Sequence, residues 1–236
     1  MFLDKSFIVT GASSGIGKAI SLFLLEKGST VYGLGRSVEA IEKFPLFFPI
    51  AIDLNDLDVV ENITKELTKK IGYLDGLICA AGFGRFGGLE QFSRTQILSM
   101  INVNFTAHVL MTKIVLPIFK AQKSGYIIFL GSEAALSGSK NGSIYCASKF
   151  ALRGFAQSLR ADCAKSSVKI SVINPGMVDT AFFETLSFSP GELPENFIST
   201  EDVTNIVDMI LKAKTGTVYD EINLSPLKKV IQFDSS

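Results

Sequence analysis

Neither sign of charge is in excess. The 236-residue chain has 23 lysines and arginines against 23 aspartates and glutamates, so its formal net charge is zero. No field of one sign draws it to nucleic acid or to an anionic membrane surface, and neither partner is expected. Cysteine is scarce. Cys79, Cys146 and Cys163 are odd in number, widely spaced and without metal-ligand spacing. A disulfide framework and a metal site are not expected; reduced thiols and a cytoplasmic location are. Histidine occurs once, as His108. A single histidine in a helix reads as packing, and it is given no catalytic role. Long apolar runs are missing too: Phe44 to Ile52 is broken by prolines and falls far short of a bilayer span. Met1 to Lys5 leads straight into the first expected strand, which leaves no room for a signal peptide. What remains is 47% hydrophobic and 19% charged, the composition of a globular chain with a sizeable core.

Short apolar runs alternate with helical patterns along the whole length. Strands are expected at Phe7–Val9, Thr30–Leu34, Phe48–Ile52, Gly76–Cys79, Tyr126–Leu130, Val168–Ile173 and Val218–Leu224. Helices are expected at Ile16–Lys27, closed by Gly28, then from Leu57 to Ile71, from Ser93 to Phe119 with a bend or end at Pro117, from Ser143 to Lys165, and at Asp202–Lys212. Apolar strands alternating with helices imply a mostly parallel, doubly wound sheet of seven strands with helices on both faces, in the Rossmann manner. No repeat or linker interrupts it, so residues 1–236 read as one domain.

The first strand runs into Thr10-Gly11-Ala12-Ser13-Ser14-Gly15-Ile16-Gly17. Strand, glycine turn and helix together form the context in which glycines signal phosphate binding. Gly11 allows the sharp turn. Gly15 lets backbone N–H groups approach a pyrophosphate, and Gly17 allows helix to pack closely on strand. The helix N-terminus favours an anion. The second strand ends Gly35-Arg36-Ser37, 19 residues from Gly17 to Arg36, with no carboxylate to accept bonds from the ribose hydroxyls of NAD. A guanidinium and a hydroxyl there suit the 2′-phosphate of NADP. Asp53, in Ile52-Asp53-Leu54, is either an acceptor for the adenine amino group or a cap for the following helix. Cys79-Ala80-Ala81-Gly82 offers small residues that either face the cofactor closely or pack under a helix.

Tyr145 and Lys149 are four residues apart and share a helix face. A phenol titrates near 10, and an ammonium close by lowers that value towards neutrality. Ser132 follows the fifth strand, 13 residues before Tyr145, and emerges at the same sheet edge, where its hydroxyl can hold a substrate oxygen. Asn102 and Asn104 stand among apolar neighbours, so at least one needs a hydrogen-bonded role.

With these residues the chain resembles the short-chain dehydrogenases/reductases of the common cytosolic type along almost its whole length. Thr10 to Gly17 matches the family's cofactor motif. Cys79-Ala80-Ala81-Gly82 matches N-N-A-G except at Cys79 and Ala80. Asn104, Ser132, Tyr145 and Lys149 match the catalytic tetrad. Asn174-Pro175-Gly176, with Val178 and Thr180, matches the element that meets the nicotinamide and its phosphates. The resemblance implies hydride transfer between NADP(H) and a carbonyl or secondary alcohol, with NAD as a weaker cofactor because Ser14 stands where some NADP-selective relatives carry a second basic residue. It implies Tyr145 as general acid or base, Lys149 as the group that lowers its pKa and binds the nicotinamide ribose, Ser132 as the carbonyl's holder, and the Asn104 main-chain carbonyl as a water site.

Residues 177–199 read as a substrate-binding lid, rich in Phe182, Phe183, Leu186, Phe188, Leu193 and Phe197. Such a lid suits an apolar substrate, or else fastens to the body or to a neighbouring subunit. Glu133 and Arg85 are candidate charges near it. Phe150, Leu152, Phe155 and Leu159 offer more apolar surface than one buried stripe needs, so a homodimer or homotetramer is expected. A nucleotide-sensing or scaffold protein that keeps the fold without turnover is the second function class, but a pure binder has no need of Ser132 or of a phenol.

Overall fold

A computed structural model describes residues 2–38, 41 and 43–233; residue 1 and residues 234–236, at the ends of the expected domain, lie outside them. The strands are β1 (Ser6–Thr10), β2 (Thr30–Gly35), β3 (Phe47–Ala51), β4 (Gly76–Cys79), β5 (Gly125–Leu130), β6 (Val168–Pro175), β7 (Phe188–Pro190), β8 (Glu221–Leu224) and β9 (Ile231–Phe233). The helices are α1 (Gly15–Glu26), α2 (Leu57–Lys70), α3 (Arg94–Ile101), α4 (Ala107–Gln122), α5 (Ser143–Cys163) and α6 (Thr200–Leu211). Seven strands form one parallel sheet in the order β3-β2-β1-β4-β5-β6-β8. The order reverses between β1 and β4, and the crevice outside their carboxyl ends is where ligands bind in such sheets.

Side chains alternate across the sheet and feed two cores. Ile8, Leu34, Leu77, Ile127, Phe129, Ile170 and Val172 pack under α2, α4 and α5. Phe7, Val9, Val31, Ile78, Ile128, Leu130 and Ile173 pack under α1 and α6. Both faces are therefore covered, as near-continuous apolar strands require. Residues 94–122 have the length and apolarity of a membrane span. Met100, Ala107, Met111, Val115 and Phe119 from this run are fully buried in the protein's own core.

Several details differ from the sequence expectation. Pro117 neither ends nor breaks a helix: α4 runs on to Gln122. Lys113 and Pro117 both face solvent, where water can meet the carbonyl that proline leaves unpaired. The discontinuity lies earlier, in a π-helical turn over Asn102–Thr106 closed by the Ala107 N–H on the Asn102 carbonyl. A π turn of this kind often marks a functional position. The last strand of the main sheet begins at Glu221, not Val218. Leu152 and Leu159 are core residues. Phe155 packs edge-on against Phe105 and Phe129. Of the four apolar residues expected to be in surplus on α5, only Phe150 stands out, 43% exposed. The lid is not a free loop: β7 pairs antiparallel with β9 in a small second sheet.

Candidate active site

The glycine turn carries out its expected geometry. Gly11 has φ of +71°, and a Cβ on it would lie 2.9 Å from the Ala81 Cα at the end of β4. A Cβ on Gly17 would run into the Gly11 carbonyl oxygen, so only glycine lets α1 sit this close to β1. Ser14 is the N-cap of α1 and leaves its side chain unused in capping. Ile16 begins the inner face of that helix and packs on the α1 side of the sheet. A cavity of about 510 Å³ is lined by Ser13, Ser14, Arg36 and Ser37, which brings the glycine turn and the end of β2 to one place. None of the ion pairs among the described residues involves Arg36. The hydroxyls, the guanidinium and the amino end of α1 form a donor set that fits a phosphorylated ribose.

Asp53 does not cap α2. Its Oδ1 accepts the Asn55 N–H at 2.9 Å, while Asp56 caps the helix by accepting from the Val59 N–H. Asp56 stands one residue before α2, as an N-cap must, and Asp53 lies too far upstream. Asp53 stays exposed at the sheet edge, and Leu54 beside it is buried in the core.

At the end of β4 the Ala81 N–H donates to Thr10 Oγ1 at 3.0 Å, and Thr10 Oγ1 lies 3.4 Å from His108 Nε2. This link joins β1, β4 and α4 beneath the switch point. Ala80 packs against the α1 side of the sheet. A Cβ on Gly82 would lie 3.2 Å from Asn104 Oδ1 and 3.4 Å from Lys149 Nζ, so this turn runs directly against both. Asn104 is fully buried. Its Oδ1 accepts the Phe83 N–H and its Nδ2 donates to the Phe83 carbonyl and to Ser148 Oγ. Asn102 instead reaches the exposed Asn55 side chain, which leaves Asn104 as the member with the buried role.

Tyr145 lies on the first turns of α5, only 8% exposed. Burial pushes its phenol up to about 12; the Ser132 side chain works the other way, and Cys146 and Glu133 add to the rise. Lys149 Nζ donates to the Leu130 carbonyl at 2.9 Å and stands 5.9 Å from the Tyr145 ring centroid. Burial brings Lys149 down to about 8. Burial thus outweighs the expected depression of Tyr145 by Lys149, whose ammonium is directed at a backbone carbonyl. Ser132 opens the short turn after β5, its Oγ accepting the Ala134 N–H. His108 is fully buried; desolvation and the Lys149 charge push its ring down to about 3, so it is neutral and structural.

The end of β6 completes the edge. Asn174 is tied to Glu221 and Asn223 of β8. Pro175 ends β6, and the Gly176 N–H donates to the Leu224 carbonyl. Val178 bridges to Ile198, closing the base of the lid. The Thr180 side chain stands 3.4 Å from where a Gly15 Cβ would lie.

Over Tyr145 the lid and the β4–α3 loop build an aromatic ring of rings. Centroid separations are 5.3 Å from Tyr145 to Phe86, 5.0 Å from Phe86 to Phe188, 6.0 Å from Phe188 to Phe183, 5.2 Å from Phe183 to Phe182 and 6.0 Å from Phe182 back to Tyr145. Arg85 is exposed outside this enclosure. Glu133 is paired with Lys229 at 2.7 Å. Sequence reasoning singled out neither Phe86 nor Lys229. The sequence places Phe86 in the loop Phe83 to Gly88 at the ligand-binding edge of the sheet but gives it no role there, and nothing in the local pattern around Lys229 signals a partner 96 residues away.

The short chain dehydrogenase family profile matches residues 5–189. A sepiapterin reductase from Chlorobaculum tepidum is 29% identical over 242 residues, covering 96% of this chain and 98% of its own. An uncharacterized oxidoreductase from Staphylococcus epidermidis is 31% identical over 234 residues, covering 96% and 98%. Among solved structures, an alcohol dehydrogenase from the archaeon Thermococcus sibiricus, complexed with 5-hydroxy-NADP, superposes with a TM-score of 0.85 at 26% identity, covering 96% of this chain and 98% of that one. A metagenomic short-chain oxidoreductase in complex with NADP gives a TM-score of 0.81 at 26% identity, covering 97% and 100%.

Proposed function

The chain belongs to the short chain dehydrogenase family, and on that premise we propose that it transfers hydride between NADP(H) and an apolar ketone or secondary alcohol. The reading rests on one arrangement above the others: Tyr145 and Lys149 on one face of α5, with the Ser132 side chain bearing on the phenol and the Gly82 turn running against both Asn104 and the ammonium. A protein that only binds a nucleotide has no use for this set, which disfavours a sensing or scaffold role.

The NADP(H) preference is supported by the Arg36, Ser37, Ser13 and Ser14 cavity and by the NADP-type ligands of the two structural relatives. Gly11, Gly15, Gly17, Ala81, Gly82, Pro175, Gly176, Val178 and Thr180 would line the cofactor's path along the switch-point crevice. Bound there, the nicotinamide supplies or accepts the hydride. In reduction the Ser132 hydroxyl holds the substrate oxygen and Tyr145 gives it the phenolic proton. Lys149, charged at neutral pH, then stabilises the phenolate until it regains a proton. A phenol held near 12 is protonated at pH 7, the form that acts as the acid in reduction.

The Phe86, Phe182, Phe183 and Phe188 enclosure favours a flat apolar substituent on the carbonyl. Self-association with closed symmetry belongs to the same proposal, supported by Phe150 and Leu98, both exposed on the neighbouring helices α5 and α3. A screen of ketones, alcohols and sepiapterin with NADPH and NADP, followed by nicotinamide absorbance, tests the reading. Turnover of apolar carbonyls supports it; silence across the panel with the reduced and the oxidised cofactor overturns it.

A further inference from the structure

The lid is stitched along its outer half to the segment that follows β8. Phe188 pairs with Phe233, Ser189 with Gln232 and Pro190 with Ile231. The Gly191 N–H donates to the Val230 carbonyl at 3.1 Å, and the Lys228 N–H to the Glu195 carbonyl at 2.8 Å. Asn196 Nδ2 donates to the Lys228 carbonyl, and the Lys228 ammonium pairs with Glu195 at 2.7 Å. The same segment is anchored at two points of the reaction edge. Pro226 lies against Gly176, 3.1 Å from where its Cβ would stand. Lys229 Nζ pairs with Glu133 at 2.7 Å, one residue from Ser132.

We propose that residues 226–233 are a strap that sets which substrates reach Tyr145, with Lys229 and Phe233 as its specificity-determining residues. The strap holds Phe188 in place from outside, the Phe188 to Phe233 centroid separation being 6.3 Å. Phe188 in turn holds Phe86, which covers Tyr145. A substituent entering the site must part these rings, and the strap resists that parting through backbone bonds to the lid and one ion pair to the catalytic turn. Phe233 is 74% exposed and meets the enclosure at Phe188, so it acts on the wall and not on the reacting atoms. This inference rests on the carbonyl-reductase reading for its kinetic consequence, though not for the mechanical one.

The test uses the full chain with Lys229→Ala, Phe233→Ala and the charge-keeping Lys229→Arg. Reduction of a small and of a bulky aryl ketone is measured with NADPH, together with NADPH affinity and the thermal midpoint. The bulky-to-small ratio of kcat/KM is expected to rise by about fivefold in Lys229→Ala, the ceiling for a partly exposed ion pair, and by about as much in Phe233→Ala, which removes one aromatic contact. Lys229→Arg is expected to keep the wild-type ratio, and all three to keep cofactor affinity. A ratio unchanged within twofold in both alanine variants overturns the proposal. Hydrogen exchange separates this from failure of the reductase reading. If the wild type reduces neither ketone, that reading fails and exchange decides the strap. Faster exchange of the Gly191 amide in Lys229→Ala than in wild type supports the strap; equal exchange overturns it.

Discussion

His108 and Arg36 show how residues of one charge class take opposite parts. His108 is sealed beneath the switch point and neutral, its ring held near 3 by burial and by the Lys149 charge. Below the unfolded value of 6.5 the unfolded chain takes up a proton that the native ring refuses. Stability from this group is therefore complete above 6.5 and falls as pH drops towards 3. The full slope is about 1.4 kcal/mol per pH unit. Lys149, titrating near 8, is charged in both states over that window and adds no slope. Urea unfolding of His108→Gln between pH 6.5 and 4 is expected to show a flatter pH dependence than wild type; an identical slope contradicts a buried neutral ring. Arg36 is exposed at the end of β2 and lines the cavity with Ser13 and Ser14. Charge-assisted bonds to a phosphate are worth about 1.5–3 kcal/mol, drawn to the lower end by solvent. Arg36→Asp is expected to weaken NADPH about tenfold and to tighten NADH, read from dissociation constants. Unchanged preference removes Arg36 as the phosphate anchor.

At the scale of elements, the β1–α1 junction is the least forgiving. A methyl on Gly17 meets the Gly11 carbonyl, which is backbone and has nowhere to go. Overpacking of this kind costs about 1–3 kcal/mol. Gly17→Ala is expected to lower the thermal midpoint and to weaken NADPH binding together, because the same shift opens the phosphate turn. A variant that melts early yet binds normally contradicts the shared cause. Elements such as this one were legible in the sequence because their causes are local: glycines at fixed offsets, apolar alternation, and a tyrosine and lysine one helical turn apart. Pro117 misled because its cost depends on which side of α4 faces water, which sequence spacing does not state. The π turn at Asn102–Thr106 has no composition of its own. The β7–β9 pairing and the Lys229–Glu133 bridge join segments far apart in the chain and carry no local pattern. The alternation around Phe188 is too short to read as a strand.

For the molecule as a whole, the sheet order places four separate chain segments at one crevice: the glycine turn after β1, Gly82 after β4, Ser132 after β5 and Gly176 after β6. Tyr145 and Lys149 face the same edge from α5, and the aromatic lid closes over the phenol. In the proposed function the phosphates of the cofactor and the transferred proton fall to different residues, which makes those two roles separable by substitution. The central claim is that Tyr145 moves the proton. Tyr145→Phe keeps the ring packed against Phe86 and Phe182 and removes only the hydroxyl. Measured side by side with wild type, it is expected to bind NADPH with unchanged affinity while its rate of ketone reduction falls at least about a hundredfold, the scale of general acid catalysis. Retention of wild-type turnover in a variant that binds NADPH normally contradicts the account.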